Sequence, residues 1–231
     1  MIALNRLPRA CLFAWACFTI LAMSAIDFAF AQAGATRRLH EAAASGNVTL
    51  AREALRGGAA INAGNPAGET PLLITVQNNR LEVFQLLLEN GANINAQARN
   101  MDTPWLLAGA RGRTAMLELM APRNPDLALR NRFGGSALIP ACHYGHVATV
   151  RFLLANTKIA VDQVNNLGWT CLLEAVILGD GGQAHQAIVS AVLAAGANPS
   201  LADKDGVTPL QHARRLRQTA IAGILEKAGG K

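Results

Sequence analysis

Aromatic side chains, clustered charge and cysteine are all scarce in this sequence. Phe, Trp and Tyr make up 5% of the 231 residues, and only four cysteines occur. The Lys and Arg residues are scattered along the chain. Nucleic-acid-binding surfaces instead gather them into a patch beside aromatic residues that stack on bases. The sequence therefore predicts no nucleic-acid partner.

Sequence motifs of several enzyme classes are also absent. The chain has no glycine-rich phosphate loop, no HExxH zinc motif and no Gly-x-Ser-x-Gly nucleophile elbow. Its Ser, His and Asp residues show no arrangement that suggests a catalytic triad. We therefore expect a protein that is not an enzyme, with no cofactor and no catalytic residue.

The first residues have the composition of a secretory signal peptide. Arg6 and Arg9 precede a nearly unbroken apolar run from Cys11 to Ile26, and Ala29-Phe30-Ala31 supplies a small-x-small cleavage pattern. We expect residues 1–31 to be removed, with Gln32 as the new N-terminus. This predicts a periplasmic or secreted protein.

Two other interpretations of this segment stay open. One is an uncleaved membrane anchor, although the apolar run is shorter than the roughly 20 residues that a spanning helix needs. The other is a lipoprotein modified at Cys17, which would leave little apolar sequence upstream. Cleavage after residue 31 would remove two arginines and one aspartate, leaving 19 basic and 14 acidic side chains and a net charge of +5.

One short motif recurs along the rest of the chain. From Thr70, the hydroxyl positions of its copies advance by 33, 33, 34 and 38 residues. A short, nearly constant period is the signature of stacked structural repeats. The copies are Gly68-Glu69-Thr70-Pro71-Leu72, Asp102-Thr103-Pro104-Trp105, Gly134-Gly135-Ser136-Ala137-Leu138, Gly168-Trp169-Thr170-Cys171-Leu172 and Gly206-Val207-Thr208-Pro209-Leu210.

Each copy has the features of a helix–turn–helix unit. Thr70 suits an N-cap, because its hydroxyl can accept a hydrogen bond from an unpaired amide of the first turn. Pro71 suits the first helical position, and Gly91 suits the left-handed residue that ends the second helix. The motif, its period and the closing Gly91-Ala92-Asn93-Ile94-Asn95 resemble those of ankyrin-repeat proteins over essentially the whole chain after the signal. The resemblance implies an all-α ankyrin-repeat solenoid of about six helix–turn–helix units with projecting β-turns.

Alignment on the hydroxyl position divides residues 36–231 into six units. Unit five is five residues longer than a 33-residue repeat, and the surplus falls at 180–184, between its two helices. We expect this glycine-rich loop to be mobile. The predicted units are about 36–65, 66–98, 99–131, 132–165, 166–203 and 204–231.

Unit three departs most from the pattern. Met101 replaces the turn glycine, and Asn124 falls where Gly91 stands in unit two. Asparagine tolerates a positive φ better than most residues, so we expect the fold to be kept. The histidine that follows Thr-Pro-Leu in ankyrin repeats is mostly missing, and we expect the hydroxyl caps, Ser136 included, to hold the turns without it.

The densest polar cluster is Cys142-His143-Tyr144-Gly145-His146. A metal site here would need further ligands, so we interpret Cys142 as a small buried residue and predict no metal site. Cys142 lies six residues after its cap position and Cys171 one residue after the next. Five residues of helix give about 7.5 Å of axial offset, and helices pack about 8–10 Å apart. The expected separation of ~11–13 Å exceeds the ~7 Å limit for a disulfide, so we predict two buried free thiols.

The resemblance implies that a partner binds the projecting turns and the exposed positions of each first helix. Aromatic and Arg residues dominate interface energies, and exposed apolar patches often mark interaction sites. An equally favoured alternative is that Phe133 and Trp169 fold back onto neighbouring turns. The candidate protein-binding residues are Met101, Arg111, Phe133, His143, Tyr144, Leu167, Trp169 and Glu174.

These observations predict a non-enzymatic protein–protein interaction scaffold, periplasmic or secreted. It would bind a protein of unknown identity on its concave face and turn tips, centred on units three to five. We expect a monomer with no stable membrane insertion after signal cleavage. Two alternatives are a metal- or redox-linked accessory protein that uses Cys142 and His143, and an exported effector that binds host proteins.

Overall fold

The computed structural model describes residues 29–231. Residues 1–28, which hold most of the predicted signal peptide, lie outside the described residues, and the predicted cleavage site after residue 31 lies within the first helix. Over 29–231 the chain forms twelve α-helices and one 3₁₀ helix, Ala121–Arg123, and no β-strand. The α-helices are α1 (described over 29–45), α2 (Val48–Arg56), α3 (Pro71–Asn78), α4 (Leu81–Glu89), α5 (Pro104–Ala110), α6 (Thr114–Met120), α7 (Leu138–His143), α8 (Val147–Asn156), α9 (Cys171–Ile177), α10 (Gln183–Ala194), α11 (Pro209–Arg215) and α12 (Thr219–Lys227).

The helices stack as consecutive pairs, which we number as units one to six from α1–α2 to α11–α12. From α3 onward, each odd-numbered helix packs against its pair partner and the next odd-numbered helix. From α2 onward, each even-numbered helix packs against the next even-numbered one. A single apolar core runs through the stack from Leu39 in α1 to Leu225 in α12. Because one pair cannot enclose its apolar face alone, the neighbours bury it. The predicted all-α solenoid of helix–turn–helix units is confirmed.

Threonine caps start four of the odd-numbered helices, as predicted. The hydroxyls of Thr70, Thr103, Thr170 and Thr208 each accept a hydrogen bond from the amide three residues later, at 3.1–3.3 Å. Each threonine carbonyl also accepts the first helical bond, from the amide four residues later. These two bonds fix where α3, α5, α9 and α11 begin.

Ser136 does not cap α7, so the prediction was wrong for this copy of the motif. The N-cap residue of α7 is Ala137, and the buried Ser136 hydroxyl has no hydrogen-bond partner. The physical reason is Pro140, which stands four residues after Ser136 and has no N–H to donate to the Ser136 carbonyl. Without that first helical bond, α7 begins one residue later than the other odd-numbered helices from α3 onward.

Two non-glycine residues occupy left-handed positions in unit three. Met101 has φ +64° where the equivalent Gly68 has φ +78°. Asn124 has φ +52° where Gly91 has φ +82°, as predicted from its tolerance of that region. The turn and the end of the second helix therefore keep their geometry despite the substitutions.

The prediction of two free thiols was wrong, because Cys142 and Cys171 form a disulfide. Their Cα atoms lie 5.5 Å apart, and both residues are fully buried. The same register positions in the preceding units are held by Gly109 and Ala137, where a Cβ on Gly109 would lie 2.4 Å from the Ala137 carbonyl oxygen. At this pair of positions α5 and α7 therefore lie close together, as α7 and α9 do at the two cysteines. Unit five is shifted along the helix axis relative to unit four. This shift brings Cys171 level with Cys142, so the axial offset of about 7.5 Å expected from the sequence does not separate them.

Candidate protein-binding surface

An asparagine or aspartate fixes the backbone of four projecting turns. One side-chain oxygen accepts two hydrogen bonds, from the amides two and four residues later, at 2.9–3.0 Å. Such side-chain bonds take the place of backbone turn contacts, so the tip residues between them have a defined direction. The four residues are Asn65, Asn131, Asn165 and Asp203.

Neighbouring turns are joined to one another and to the helices behind them. The amide of Asn166 donates to the Phe133 carbonyl at 2.9 Å, which links the turns of units four and five. In unit two, Gln77 Nε2 in α3 donates to Glu69 Oε1 in the turn at 2.6 Å. These bonds connect the turn of unit four to that of unit five, and the turn of unit two to the helix behind it.

Large apolar side chains stand exposed on the turns of units three to five. Phe133 is 58% exposed, Leu167 55% and Met101 46%, whereas Trp169 is half-buried. The alternative in which Phe133 folds back is therefore wrong, and it holds only in part for Trp169. The Arg132 guanidinium lies 4.6 Å from the centre of the Phe133 ring, a cation–π contact that leaves most of the ring in solvent.

A second apolar row follows the C-terminal ends of three adjacent helices. Tyr144, Leu178 and Leu216 are the C-cap residues of α7, α9 and α11, and each stands eight residues after the hydroxyl position of its unit. They are 60%, 42% and 48% exposed. Leu216 was missed in the sequence, although the same register position would have identified it. The exposed Met101 belongs to unit three. We call the five exposed apolar residues of the two rows in units four to six the recognition face: Phe133, Tyr144, Leu167, Leu178 and Leu216.

His143 and Tyr144 form a stacked pair at the end of α7. Their ring centres lie 4.2 Å apart, with an angle of 11° between the ring planes. Burial and the nearby charge of His185 lower the pKa of His143. The stacked imidazole therefore holds the Tyr144 ring in place on the recognition face.

Glu174 is buried, although the sequence placed it among the exposed positions of a first helix. It is 7% exposed, and Asn165 Nδ2 donates to its Oε1 at 2.7 Å. His143 Nδ1 lies 3.8 Å from its Oε2, which is too long for a hydrogen bond. Burial raises the pKa of Glu174 to about 7, and the hydrogen bond from Asn165 opposes part of that rise. The carboxyl sits beneath the recognition face, beside the His143–Tyr144 stack.

The inserted segment of unit five is linked by hydrogen bonds to the C-terminal end of α7. Asp180 Oδ1 accepts a hydrogen bond from Gly182 N at 2.8 Å and lies 2.8 Å from His185 Nδ1. His185 Nε2 lies 3.0 Å from the His143 carbonyl oxygen. Both ring nitrogens of His185 thus face oxygen acceptors, and the buried ring links the insertion to the end of α7.

The structure therefore brings together most of the predicted binding residues. His143 stacks on Tyr144, and its Nδ1 lies 3.8 Å from Glu174 Oε2. The two hydrogen-bonded turns of units four and five hold Phe133, Leu167 and Trp169. Arg111 is exposed at the C-cap of α5, in unit three with Met101. These two extend the same face toward the N-terminal units.

The structure does not support the Cys142–His143 cluster as a metal site. The Cys142 sulfur is bonded to Cys171 and is therefore not a thiolate ligand. Over residues 29–231, no three His, Cys, Asp or Glu side chains are grouped so that they could hold a metal ion. The same span contains no helix with the length and apolar character required to cross a membrane.

Comparison with known proteins gives consistent matches. The family described as "Ankyrin repeats (3 copies)" matches residues 29–98 and 105–203. The ankyrin repeat protein YahD of Escherichia coli (strain K12) is 40% identical over 188 residues, which cover 81% of this chain and 94% of YahD. A crystal structure of an ankyrin repeat domain from Acinetobacter baumannii AYE is 46% identical, with a TM-score of 0.79, over 84% of this chain and 98% of that one. A second ankyrin repeat structure is 38% identical, with a TM-score of 0.80, over 83% of this chain and 98% of that one.

Proposed function

The chain belongs to the ankyrin-repeat family, and from that membership we propose that it is an exported scaffold that binds a protein partner through its recognition face. Ankyrin repeats generally mediate protein–protein interaction and are generally not enzymes. The scaffold would hold its partner without catalysis. Its binding site would lie on units four to six, one unit closer to the C-terminus than the sequence had indicated, because Leu216 extends the apolar row.

One observation carries this proposal. Five large apolar side chains, each between 42% and 60% exposed, lie at equivalent positions of adjacent turns and helices. Isolated exposed apolar residues are common on protein surfaces, but a contiguous group often marks an interaction site. The turns beneath Phe133 and Leu167 are fixed by side-chain hydrogen bonds. A partner would thus meet a surface that is already ordered, which reduces the entropic cost of binding.

Export is the second part of the proposal. The basic, apolar and small-x-small order of residues 6–31 is typical of a cleaved signal peptide. The Cys142–Cys171 disulfide supports it, since disulfides persist mainly in oxidising compartments such as the periplasm. A resident periplasmic protein and an effector delivered to host cells would share both features. Fractionation of the producing cells distinguishes them, because the effector would be depleted from the periplasm.

A metal- or redox-linked accessory role has less support. Both cysteines are fully buried and bonded to each other, so neither presents a reactive thiol at the surface. Metal analysis of the purified protein tests this alternative, and a stoichiometric metal ion would favour it over the scaffold.

Affinity capture from the native compartment tests the scaffold proposal. The bait would be the exported protein, compared with the triple variant Phe133→Ala, Tyr144→Ala, Leu178→Ala. We expect the triple variant to retain its helical content and lose roughly tenfold or more of the captured partner, since truncated apolar and aromatic anchors dominate binding energies. The matched control is Leu81→Ala, which removes a 37% exposed leucine on α4, outside the recognition face. Equal capture by the triple variant and the control would refute the placement.

A further inference from the structure

We propose that Glu174 is the anchor of the recognition face for a cationic side chain, arginine or lysine, that stands between apolar residues in a segment of the partner. The inference rests on the proposed function, because it specifies the chemistry of the segment that the recognition face would bind. It follows from a carboxyl group that is nearly buried and incompletely partnered, four residues before the exposed Leu178 on the same helix.

The carboxylate of Glu174 has one strong partner and one open position. Asn165 Nδ2 donates to Oε1, whereas no donor in the described part of the chain lies within hydrogen-bond distance of Oε2. The side chain keeps 9% of its surface exposed, so the carboxylate remains reachable. A carboxylate removed from water without a compensating cation is costly, and its raised pKa reflects that cost. A guanidinium or ammonium group from outside would supply the missing partner.

Asn165 holds this carboxylate in a fixed position. Its Oδ1 accepts from the amides of Leu167 and Trp169, while its Nδ2 donates to Glu174. In unit six, Asp203 and His212 occupy the two equivalent positions and lie 2.7 Å apart. In that unit the helix residue, His212, has a carboxylate partner within the chain, Asp203. In unit five the turn residue is a neutral amide, so Glu174 has no such partner.

The charges around Glu174 favour a cation. The helices α7 and α9 contain no Lys or Arg, and the ionisable group facing Glu174 from α7 is His143, whose pKa is lowered by burial. From α11, which also packs against α9, His212 is paired with Asp203 and Arg214 with Glu226. From α10, His185 is directed at Asp180 and the His143 carbonyl oxygen. The exposed Arg111 and Arg215 stand in units three and six, on either side. The centre of the face is therefore a carboxylate without a basic side chain of its own.

The neighbouring side chains define the rest of the ligand. Tyr144 is held beside Glu174 by its stack on His143, and its exposed ring can receive the face of a guanidinium. Leu178 stands four residues after Glu174, at the C-terminal end of the same helix. A peptide segment with apolar residues on both sides of one cationic side chain would place the cation at Glu174 and the apolar residues against Tyr144 and Leu178. Arginine is favoured over lysine because its planar group is less strongly hydrated and can stack on the Tyr144 ring while it bonds the open carboxylate oxygen.

Two acetylated and amidated peptides, Ala-Leu-Arg-Leu-Ala and Ala-Leu-Gln-Leu-Ala, test the inference. Binding would be followed by NMR on the isotope-labelled protein at pH 6 and pH 8. We expect the arginine peptide to shift the signals of Glu174, His143 and Tyr144. It should also bind about tenfold more tightly at pH 8, because a group with a pKa of about 7 is mostly protonated at pH 6 and mostly ionised at pH 8. The glutamine peptide should bind more weakly and show no such pH dependence.

The Glu174→Gln variant separates this inference from the proposed function. Glutamine keeps the size of the side chain and its acceptor for Asn165 but removes the charge, so the variant should lose both the preference for arginine and the pH dependence. Equal binding of the two peptides, binding of neither, or an unchanged pH dependence in Glu174→Gln would overturn the inference. Loss of partner capture in the triple alanine variant with unchanged capture by Glu174→Gln would retain the proposed function and refute only the anchor.

Discussion

Cys142 in α7 and Cys171 in α9 are joined across the interface between units four and five, with their Cα atoms 5.5 Å apart. The two residues stand six and one positions after the hydroxyl of their respective units, the pair of positions at which Gly109 and Ala137 also meet. Repeat arrays are held together by the interfaces between neighbours, and here one such interface is covalent. Cys142 immediately precedes His143, and Cys171 stands three residues before Glu174 in α9.

Reduction of this disulfide should lower the free energy of unfolding by about 3–4 kcal/mol, the amount expected for a cross-link that closes a loop of about 30 residues. Urea denaturation with and without a reductant measures the change. The double variant Cys142→Ala, Cys171→Ala serves as the control, because its midpoint should be low and indifferent to reductant. A wild-type midpoint that does not move when the disulfide is shown to be reduced would contradict the expectation.

Features that depend on the residue type within a single repeat can be predicted from the sequence. Thr70 could be assigned as a cap, and Asn124 as a left-handed residue, because both roles depend on the residue type and its place in one repeat. The disulfide could not be found in this way, because it depends on how far one unit is displaced against the next. The estimate from standard helix spacing placed the two Cα atoms roughly twice as far apart as they are.

The outward positions of the candidate site could be predicted from the sequence, but the burial of its central residue could not. Register alone marked Tyr144 and Leu167 as outward-facing positions, and the same register indicates Leu216. It left Phe133 open between exposure and folding back, which the structure decides in favour of exposure. Register could not reveal that Glu174 is buried, because its burial depends on Asn165 from the preceding turn and His143 from the preceding unit. The sequence shows that Pro140 removes one backbone hydrogen bond near the start of α7, but the shift of the cap from Ser136 to Ala137 is seen only in the structure.

Protonation of Glu174 should make the protein more stable below neutral pH. Its folded-state pKa of about 7 lies above the ordinary value of 4.5, so the folded protein binds more protons than the unfolded chain between these values. Stability contributed by this group is therefore full below about pH 4.5 and falls as the pH rises toward 7, by up to about 3 kcal/mol. Urea denaturation from pH 5 to pH 8 measures this fall.

Glu174→Gln should remove this part of the pH dependence and be more stable than the wild type at pH 8. The matched control is Glu82→Gln on the exposed surface of α4, which should keep the wild-type dependence. If Glu174→Gln and Glu82→Gln gave the same pH profile, another group would have to account for the fall.

Replacement of Pro140 by alanine should stabilise the chain by about 1 kcal/mol, the net value of a typical hydrogen bond. Alanine restores an N–H that can donate to the Ser136 carbonyl and lets α7 begin where the other odd-numbered helices do. Thermal unfolding followed by circular dichroism would show the gain. Pro71→Ala is the control, because Pro71 stands at the first position of α3, where proline is favoured, and its loss should lower stability. A Pro140→Ala variant that is less stable than the wild type would show that the proline ring contributes more by packing than its missing N–H costs.

Gly109 and Gly223 should respond in opposite ways to substitution by alanine, although both lie inside helices. A Cβ at Gly109 would stand 2.4 Å from the Ala137 carbonyl oxygen and 2.7 Å from the Ala137 Cβ, so α5 and α7 would have to separate. Overpacking of this kind costs about 1–3 kcal/mol. A Cβ at Gly223 in α12 would meet no atom within 4 Å, so Gly223→Ala should gain up to about 1 kcal/mol from helix propensity. Urea denaturation of both variants measures the contrast. A Gly109→Ala variant as stable as Gly223→Ala would show that the close approach between the first helices, on which the disulfide also depends, is not a requirement of the stack.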